Sequence, residues 1–317
     1  MGVNFDNPSK WKEDIGKSVD FYNDWFLKFA PATYRAERIK ATEEVEAMLT
    51  RTNHLRNLTP TELSAHPGML FALRMSMAPP IARDRLIGLA DVSKSLVGKM
   101  EADGVLPPRM PEAQVIVELQ KIADMLIRLA DPDIFPWLSE NRVPTEPETL
   151  RAATIVADRL CGANSDPIVR NAQEQRQLLT IKTWLEKRYY SDVSGKVPLN
   201  DMEPGMFAFR LNAIGLTENM ETVNIPVDAV IMPIDAKPGD LPLMLEAKSA
   251  GDFTNTNKRR KEEATKAVQL RRKYGSNVHF VLFLCGYFDS GYLKYAASDK
   301  IDWVWEHNVD ELVGFGL

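Results

Sequence analysis

Cysteine and histidine are scarce in this chain of 317 residues, which has 2 of the first and 4 of the second. Cys161 and Cys285 are far apart, in apolar or small-residue settings. They make neither a disulfide framework nor a metal motif. With so few histidines, the sequence offers no His-rich metal centre. No apolar run approaches the roughly 20 residues that span a bilayer. The opening Met1-Gly2-Val3-Asn4-Phe5-Asp6 has no apolar core of the signal-peptide kind. The implied setting is reduced and cytoplasmic, with no membrane partner. An excess of positive charge is missing too, since the formal net charge is -5. That argues against a protein that coats nucleic acid. It leaves room for a local basic groove, because the local field is what steers a polyanion. Internal repeats and low-complexity tracts are absent.

What is present is ordinary for a globular protein. Hydrophobic content of 44% and charged content of 26% suit one large domain or two of moderate size. Residues 11–130 read as mostly helical, with apolar residues at helical spacing over Trp11–Phe29 and Tyr34–Leu49. Thr59 reads as an N-cap with Pro60 at the first helical position. Pro79-Pro80 breaks the pattern, and a helix restarts near Ile81. Another amphipathic stretch covers 111–130. The acidic, Pro-rich segment after Asp131, with Pro132, Pro136, Pro144 and Pro147, reads as a connection. The domain boundary is placed there, giving a helical region over 1–150 and a second domain over 151–317. In the latter, Asp166 reads as an N-cap and Pro167 as the start of a helix running to Tyr190. Ile168, Leu178, Ile181, Trp184 and Leu185 give it a buried stripe.

Beyond that helix the character changes. Val223–Met232 is β-rich, Lys237-Pro238-Gly239-Asp240 is a turn, and Leu241–Lys248 is a second strand. Strand alternation puts Glu246 and Lys248 on one face, and Leu243, Leu245 and Ala247 on the other. Asp228 lies in the partner strand. Two carboxylates and an ammonium then converge at one place. Such a set suits phosphodiester hydrolysis with Mg²⁺, a hard cation that takes one or two carboxylates and keeps several waters. Asp228 and Glu246 would be its ligands, and Lys248 would position water or offset developing charge. A Glu-x-Lys on a strand is by itself an ordinary solvated face, and the Asp across the turn is what gives it weight. Asp235-Ala236-Lys237 has a similar form, but its place at a turn accounts for it. Glu174, in the preceding helix, is a fourth candidate; its bland reading is a surface Glu.

A basic segment follows. Between Lys258 and Lys273 stand Lys258, Arg259, Arg260, Lys261, Lys266, Arg271, Arg272 and Lys273, against Glu262 and Glu263. Asn255, Asn257, Lys258, Arg259 and Arg260 are the candidates for holding phosphates and reading base edges. The competing reading is a solvated helix with pairs such as Glu262–Lys266. Earlier in the chain, Arg83 and Arg85, then Ser93 capping a helix that carries Lys94, have the look of a helix-turn-helix and are further candidates for DNA contact. Ordinary helical packing gives the same pattern. Trp303 and Trp305 read as core or edge-strand packing, and His307 as unneeded by a metal mechanism.

The Pro226-Val227-Asp228 and Glu246-Ala247-Lys248 motifs resemble those of the PD-(D/E)xK nuclease superfamily, with the Pro one residue further from the Asp than the name prescribes. More narrowly, four stretches resemble the XamI-type family of type II restriction endonucleases. They are Phe21–Phe26, Pro79–Leu86, Glu246–Asn255 and Ile301–His307, and the likeness spans most of 20–312. It implies an α/β (α+β) fold, a restriction-endonuclease-like mixed sheet flanked by helices. It also implies Mg²⁺-dependent, sequence-specific cleavage of double-stranded DNA, with GTCGAC as the family's site. A homodimer would match a palindromic site, and a cognate DNA methyltransferase would belong to the same system. Two alternatives stand beside this: a structure-specific repair or recombination nuclease, and a non-catalytic DNA-binding protein with a degenerate nuclease fold.

Overall fold

The computed structural model describes residues 2–254 and 256–317, without the side chains of 257–259. It divides into two compact units. One comprises residues 1–29 and 170–317, the other residues 30–169. Two long helices run through both: α1 (Pro8–Arg51) and α8 (Glu146–Glu186). Residue 150, where the sequence suggested a boundary, falls early in α8.

Both long helices contain a proline, Pro31 and Pro167. The sequence reading ended one helix before Pro31 and began another at Pro167, and the structure corrects both points. An interior proline removes one hydrogen bond and costs roughly 3 kcal/mol. Each helix is buried on both sides of its proline, which outweighs that loss. Ala41, Val45 and Met48 of α1, and Ala152, Val156 and Leu160 of α8, enter one core. Trp11 and the stripe Ile181, Trp184 and Leu185 enter others.

The unit 30–169 is helical. Between the long helices lie α2 (Pro60–Ala65), α3 (Leu70–Met75), α4 (Arg83–Ala90), α5 (Lys94–Asp103), α6 (Glu112–Leu129) and α7 (Pro136–Ser139). The expected caps are present. Thr59 accepts the Glu62 N–H, and Ser93 accepts those of Ser95 and Leu96. Arg74, buried in α3, is bonded to both carboxylate oxygens of Glu101 in α5.

The other unit is built on a six-stranded sheet, with strands in sequence order: β1 (Ser191–Asp192), β2 (Met206–Leu216), β3 (Thr222–Ile231), β4 (Leu243–Ala250), β5 (Phe280–Gly286) and β6 (Asp302–Trp305). β3 is antiparallel to both of its neighbours, β2 and β4, whereas β4, β5 and β6 are parallel, as is β1 to β2. A helix makes each crossover on the parallel side: α9 (Thr256–Tyr274) before β5 and α10 (Ser290–Ser298) before β6. Ala267 and Leu270 of α9, with Leu293 and Ala296 of α10, cover one face of the sheet. Ile181, Trp184 and Leu185 of α8 cover the opposite face. This is the mixed sheet flanked by helices that the resemblance implied. Trp303 and Trp305 are wholly buried, as core packing requires.

One irregularity shapes the sheet. Phe207 and Phe209 of β2 point into the α8-side core, but Leu211 and Ala213 point into the α9-side core. β3 does the same: Ala229 and Ile231 face the α8 side, Val227 and Ile225 the other. Strict alternation would keep odd residues on one face. The exchange occurs at Arg210, whose φ is +55°, at the gap in the register between Phe209↔Ala229 and Leu211↔Val227. Asp228 stands opposite it. A one-residue irregularity turns over every side chain beyond it.

Beneath α8 lies a buried ion pair. Arg176 donates from Nε to Glu306 Oε1 at 3.0 Å and from Nη2 to Oε2 at 2.8 Å. Thr180 adds a hydroxyl bond to Oε1 at 3.3 Å, and the guanidinium lies 4.5 Å from the Trp25 ring centroid.

Candidate active site

β4 is buried on both faces for its first half and then becomes polar on one. Leu243 and Leu245 enter the α8-side core; Met244, on the α9 side, is followed there by Glu246 and Lys248. The alternation read from the sequence therefore holds. Glu246 is only 3% exposed. Its Oε1 accepts from Lys248 Nζ at 2.6 Å and from Lys266 Nζ, on α9, also at 2.6 Å. Its Oε2 is buried and has no hydrogen-bond partner among the described residues.

Asp228 arrives from β3. The β3–β4 ladder ends at Ala229↔Leu245, one step short of it. In place of a further backbone pairing, Asp228 Oδ2 accepts the Ala247 N–H at 2.8 Å. The side chain thus caps the ladder where the two strands part. Burial raises the Asp228 pKa, and the charge of Glu246 raises it further; Lys248, the Ala247 N–H and Lys266 offset part of this. Burial also works against the Lys248 ammonium, but the charge and hydrogen bond of Glu246 overcome it and the pKa is raised. Lys248 is therefore a cation at neutral pH. Asp228 and Glu246 are two crowded carboxylates whose repulsion an added cation would relieve.

A cleft of about 290 Å³ opens here, lined by Asp228, Ala247, Lys248 and Ser249 from the sheet, by Arg170, Gln173, Glu174 and Gln177 from α8, and by Glu262 from α9. Glu174 lies at this cleft and pairs with Arg210 at 2.8 Å. Gln177 is buried and donates to the carbonyls of Phe283 at 3.1 Å and Lys248 at 3.3 Å, fixing α8 over β4 and β5. Asp235 is exposed in the turn after β3 and lines none of this cleft. Among the described residues, no group of three or more His, Cys, Asp or Glu side chains is arranged to hold a metal.

The suggested DNA-contact residues are more dispersed. Asn255 lies outside the described residues, as do the side chains of Asn257, Lys258 and Arg259. Arg260 lies 3.6 Å from the Tyr295 ring centroid. Further along α9, Arg271 is committed to the carbonyls of Asp299 and Lys300 at 2.7 Å each, and Arg272 is 3.6 Å from Glu218. Part of the basic run therefore serves the fold. Arg83 and Arg85 are exposed on α4 and Lys94 on α5, all in the helical unit, and Ser93 is occupied as a cap.

Lys266 and Gln177 were missed as members of the site. Lys266 was counted in the basic run and paired with Glu262 as a surface feature. The buried Glu263, Ala267 and Leu270 place it beside the inner face of α9. Gln177 continues the Ile181–Leu185 stripe by one turn, so a polar residue on an otherwise apolar stripe was the legible signal.

Comparison with known proteins adds an independent line. A family model described as XamI restriction endonuclease matches residues 53–305. The chain is 52% identical to the type II restriction enzyme SalI of Streptomyces albus G over 317 residues, covering 99% of each chain. No solved structure matches it.

Proposed function

The chain belongs to the XamI restriction endonuclease family and is a type II restriction endonuclease, and from that premise we propose that Asp228, Glu246 and Lys248 form its active site, with Mg²⁺ as the metal and GTCGAC as the sequence cut. The observation that carries this is the state of Glu246: a buried carboxylate with two ammoniums on one oxygen and none on the other, beside the crowded carboxyl of Asp228. A divalent cation, the general requirement of type II restriction enzymes, fits that donor set. Mg²⁺ takes one or two carboxylates and completes its shell with water, so Asp228 and Glu246 suffice as its protein ligands. When bound, the metal supplies charge neutralisation and a more acidic water.

The chain's own groups do the rest. Water attacks phosphorus, the bond to the leaving sugar oxygen breaks, and the products are a phosphate monoester and a hydroxyl end. The Lys248 ammonium, held at Glu246, orients the attacking water and offsets charge on the pentacovalent phosphorus. Glu174 lines the cleft and is paired with Arg210, and the pair would border an entering phosphate. We assign DNA contacts to Asn255, Asn257, Lys258, Arg259 and Arg260, and in the helical unit to Arg83, Arg85, Ser93 and Lys94. A homodimer matches a two-fold symmetric site, and a methyltransferase of the same specificity would protect the host in the cytoplasm. No helix among the described residues is long and apolar enough to cross a membrane.

Plasmids with mapped GTCGAC sites test the proposal. Purified protein in Mg²⁺ should give discrete fragments ending at those sites, and chelation with EDTA should stop cleavage. Fragments ending elsewhere would remove the site assignment; cutting unaffected by EDTA would remove the metal.

A further inference from the structure

Lys266 has no role assigned to it in the reaction above, yet it touches its central residue. It comes from α9, a different element from the strand that carries Glu246. Its Nζ lies 2.6 Å from Glu246 Oε1 and 3.1 Å from the carbonyl oxygen of Pro226. Pro226 is two residues before Asp228 on β3. One ammonium therefore ties together α9, the strand of Asp228 and the side chain of Glu246.

Lys248 cannot supply the same restraint. It sits two residues from Glu246 on the same strand and the same face, so its flexible stem moves with its partner. A carboxylate is fixed in orientation by a bond from an element that does not move with it. The energetic setting is also unusual. Glu246 keeps Oε2 buried without a partner, which costs free energy in a folded protein. Two ammoniums could have shared the two oxygens, but both take Oε1. That arrangement leaves the acceptor capacity of Oε2 unused among the described residues, on a carboxylate whose charge acts on Asp228.

We propose that Lys266 is a positioning residue of the active site, which holds Glu246 by Oε1 and β3 by the Pro226 carbonyl so that Oε2 is kept open for a divalent cation. The proposal rests on reading Asp228 and Glu246 as the metal-binding pair, and its test separates the two ideas.

The test is Mn²⁺ binding to the DNA-free protein, followed by the paramagnetic resonance signal of free Mn²⁺. Lys266→Met should weaken binding by about 10-fold or more, the size of effect seen when a group that orients a ligand is removed. Lys266→Arg, which keeps a donor and a charge, should recover most of it. The sign is informative. Loss of a repelling cation with no change in geometry would make Mn²⁺ bind more tightly. Unchanged or tighter binding by Lys266→Met therefore overturns the proposal. In cleavage assays at saturating Mg²⁺, kcat should fall while KM for DNA stays near its original value; a change in KM alone would also overturn it. Should Lys266→Met fail to fold, Lys266→Gln carries the same test. Glu246→Gln is the control for the underlying site. If that variant binds Mn²⁺ like the parent, the reading of the metal pair fails, whatever Lys266 does.

Discussion

Glu246 and Glu306 belong to the same unit and are buried to the same depth, each 3% exposed, yet they are paired in opposite ways. Glu306 has both oxygens bonded, by the fork of Arg176 and the hydroxyl of Thr180. Glu246 has two ammoniums crowded on one oxygen and, among the described residues, no hydrogen-bond partner on the other. A bidentate guanidinium is the arrangement that satisfies a buried carboxylate. Its presence at Glu306 marks a carboxylate used to hold α8 on the sheet. Its absence at Glu246 marks one kept incomplete, a state that folding does not favour and a ligand would correct. Burial alone does not distinguish the two; the pairing of each oxygen does.

This contrast can be broken or sharpened by experiment. The largest effect should be on cleavage. Lys248→Ala and Asp228→Ala should each lower Mg²⁺-dependent cutting by at least about 10²-fold to 10³-fold, with DNA binding in a gel-shift assay largely retained. Full cleavage by either would remove that residue from the site. Next comes stability at the complete pair. Glu306→Ala leaves the Arg176 charge buried and should cost about 3–5 kcal/mol in urea unfolding. A loss within ordinary surface variation would mean the network holds little. Glu246→Gln should behave in reverse: cleavage should stop, while stability falls less than in Glu306→Ala, because the amide oxygen still accepts from the Lys248 and Lys266 ammoniums that lose their counter-charge. A large loss of stability there would erase the contrast.

A smaller effect concerns pH. The pKa of Asp228 is raised by burial and by Glu246. A carboxylate whose folded pKa lies above its unfolded value destabilises the fold once it ionises, so this group's contribution worsens as pH rises through and above the ordinary carboxylate range. Metal binding must displace its proton. Mn²⁺ affinity should therefore rise with pH over that window and then level off, as calorimetric titrations would show. Affinity independent of pH there would count against Asp228 as a ligand. The smallest effect is reserved for the turn. Asp235→Ala should change stability by no more than about 0.5 kcal/mol and leave cleavage intact; a loss of cleavage would reverse the choice between Asp228 and Asp235.

Much of the candidate site's geometry was legible in the sequence because strand alternation is a strong rule. Glu246 and Lys248 share a face for that reason alone, and the turn at 237–240 brought β3 to β4. Caps at Thr59 and Ser93 were legible because a side chain near a helix start bonds only to its own first turn. Pro31 and Pro167 misled because a local penalty was weighed without the cores on either side of it. β1 and β2 were not foreseen, although β2 is the long partner of β3. Its alternation is inverted at Arg210, so no single period runs through it. Lys266 could not be singled out from its seven basic neighbours, since the bond that distinguishes it joins residues 20 positions apart.

The inversion at Arg210 also limits how the length of this chain can vary. Beyond it, β2 and β3 are matched residue for residue from Leu211↔Val227 to Leu216↔Thr222. Deleting one residue from either strand would turn Leu211 or Val227 away from α9 and carry Asp228 off its capping bond to Ala247. A loss would be tolerated only if a second, compensating one accompanied it. Insertions and deletions among relatives should therefore collect in residues 217–221 at the hairpin tip, where they leave Asp228 opposite Arg210.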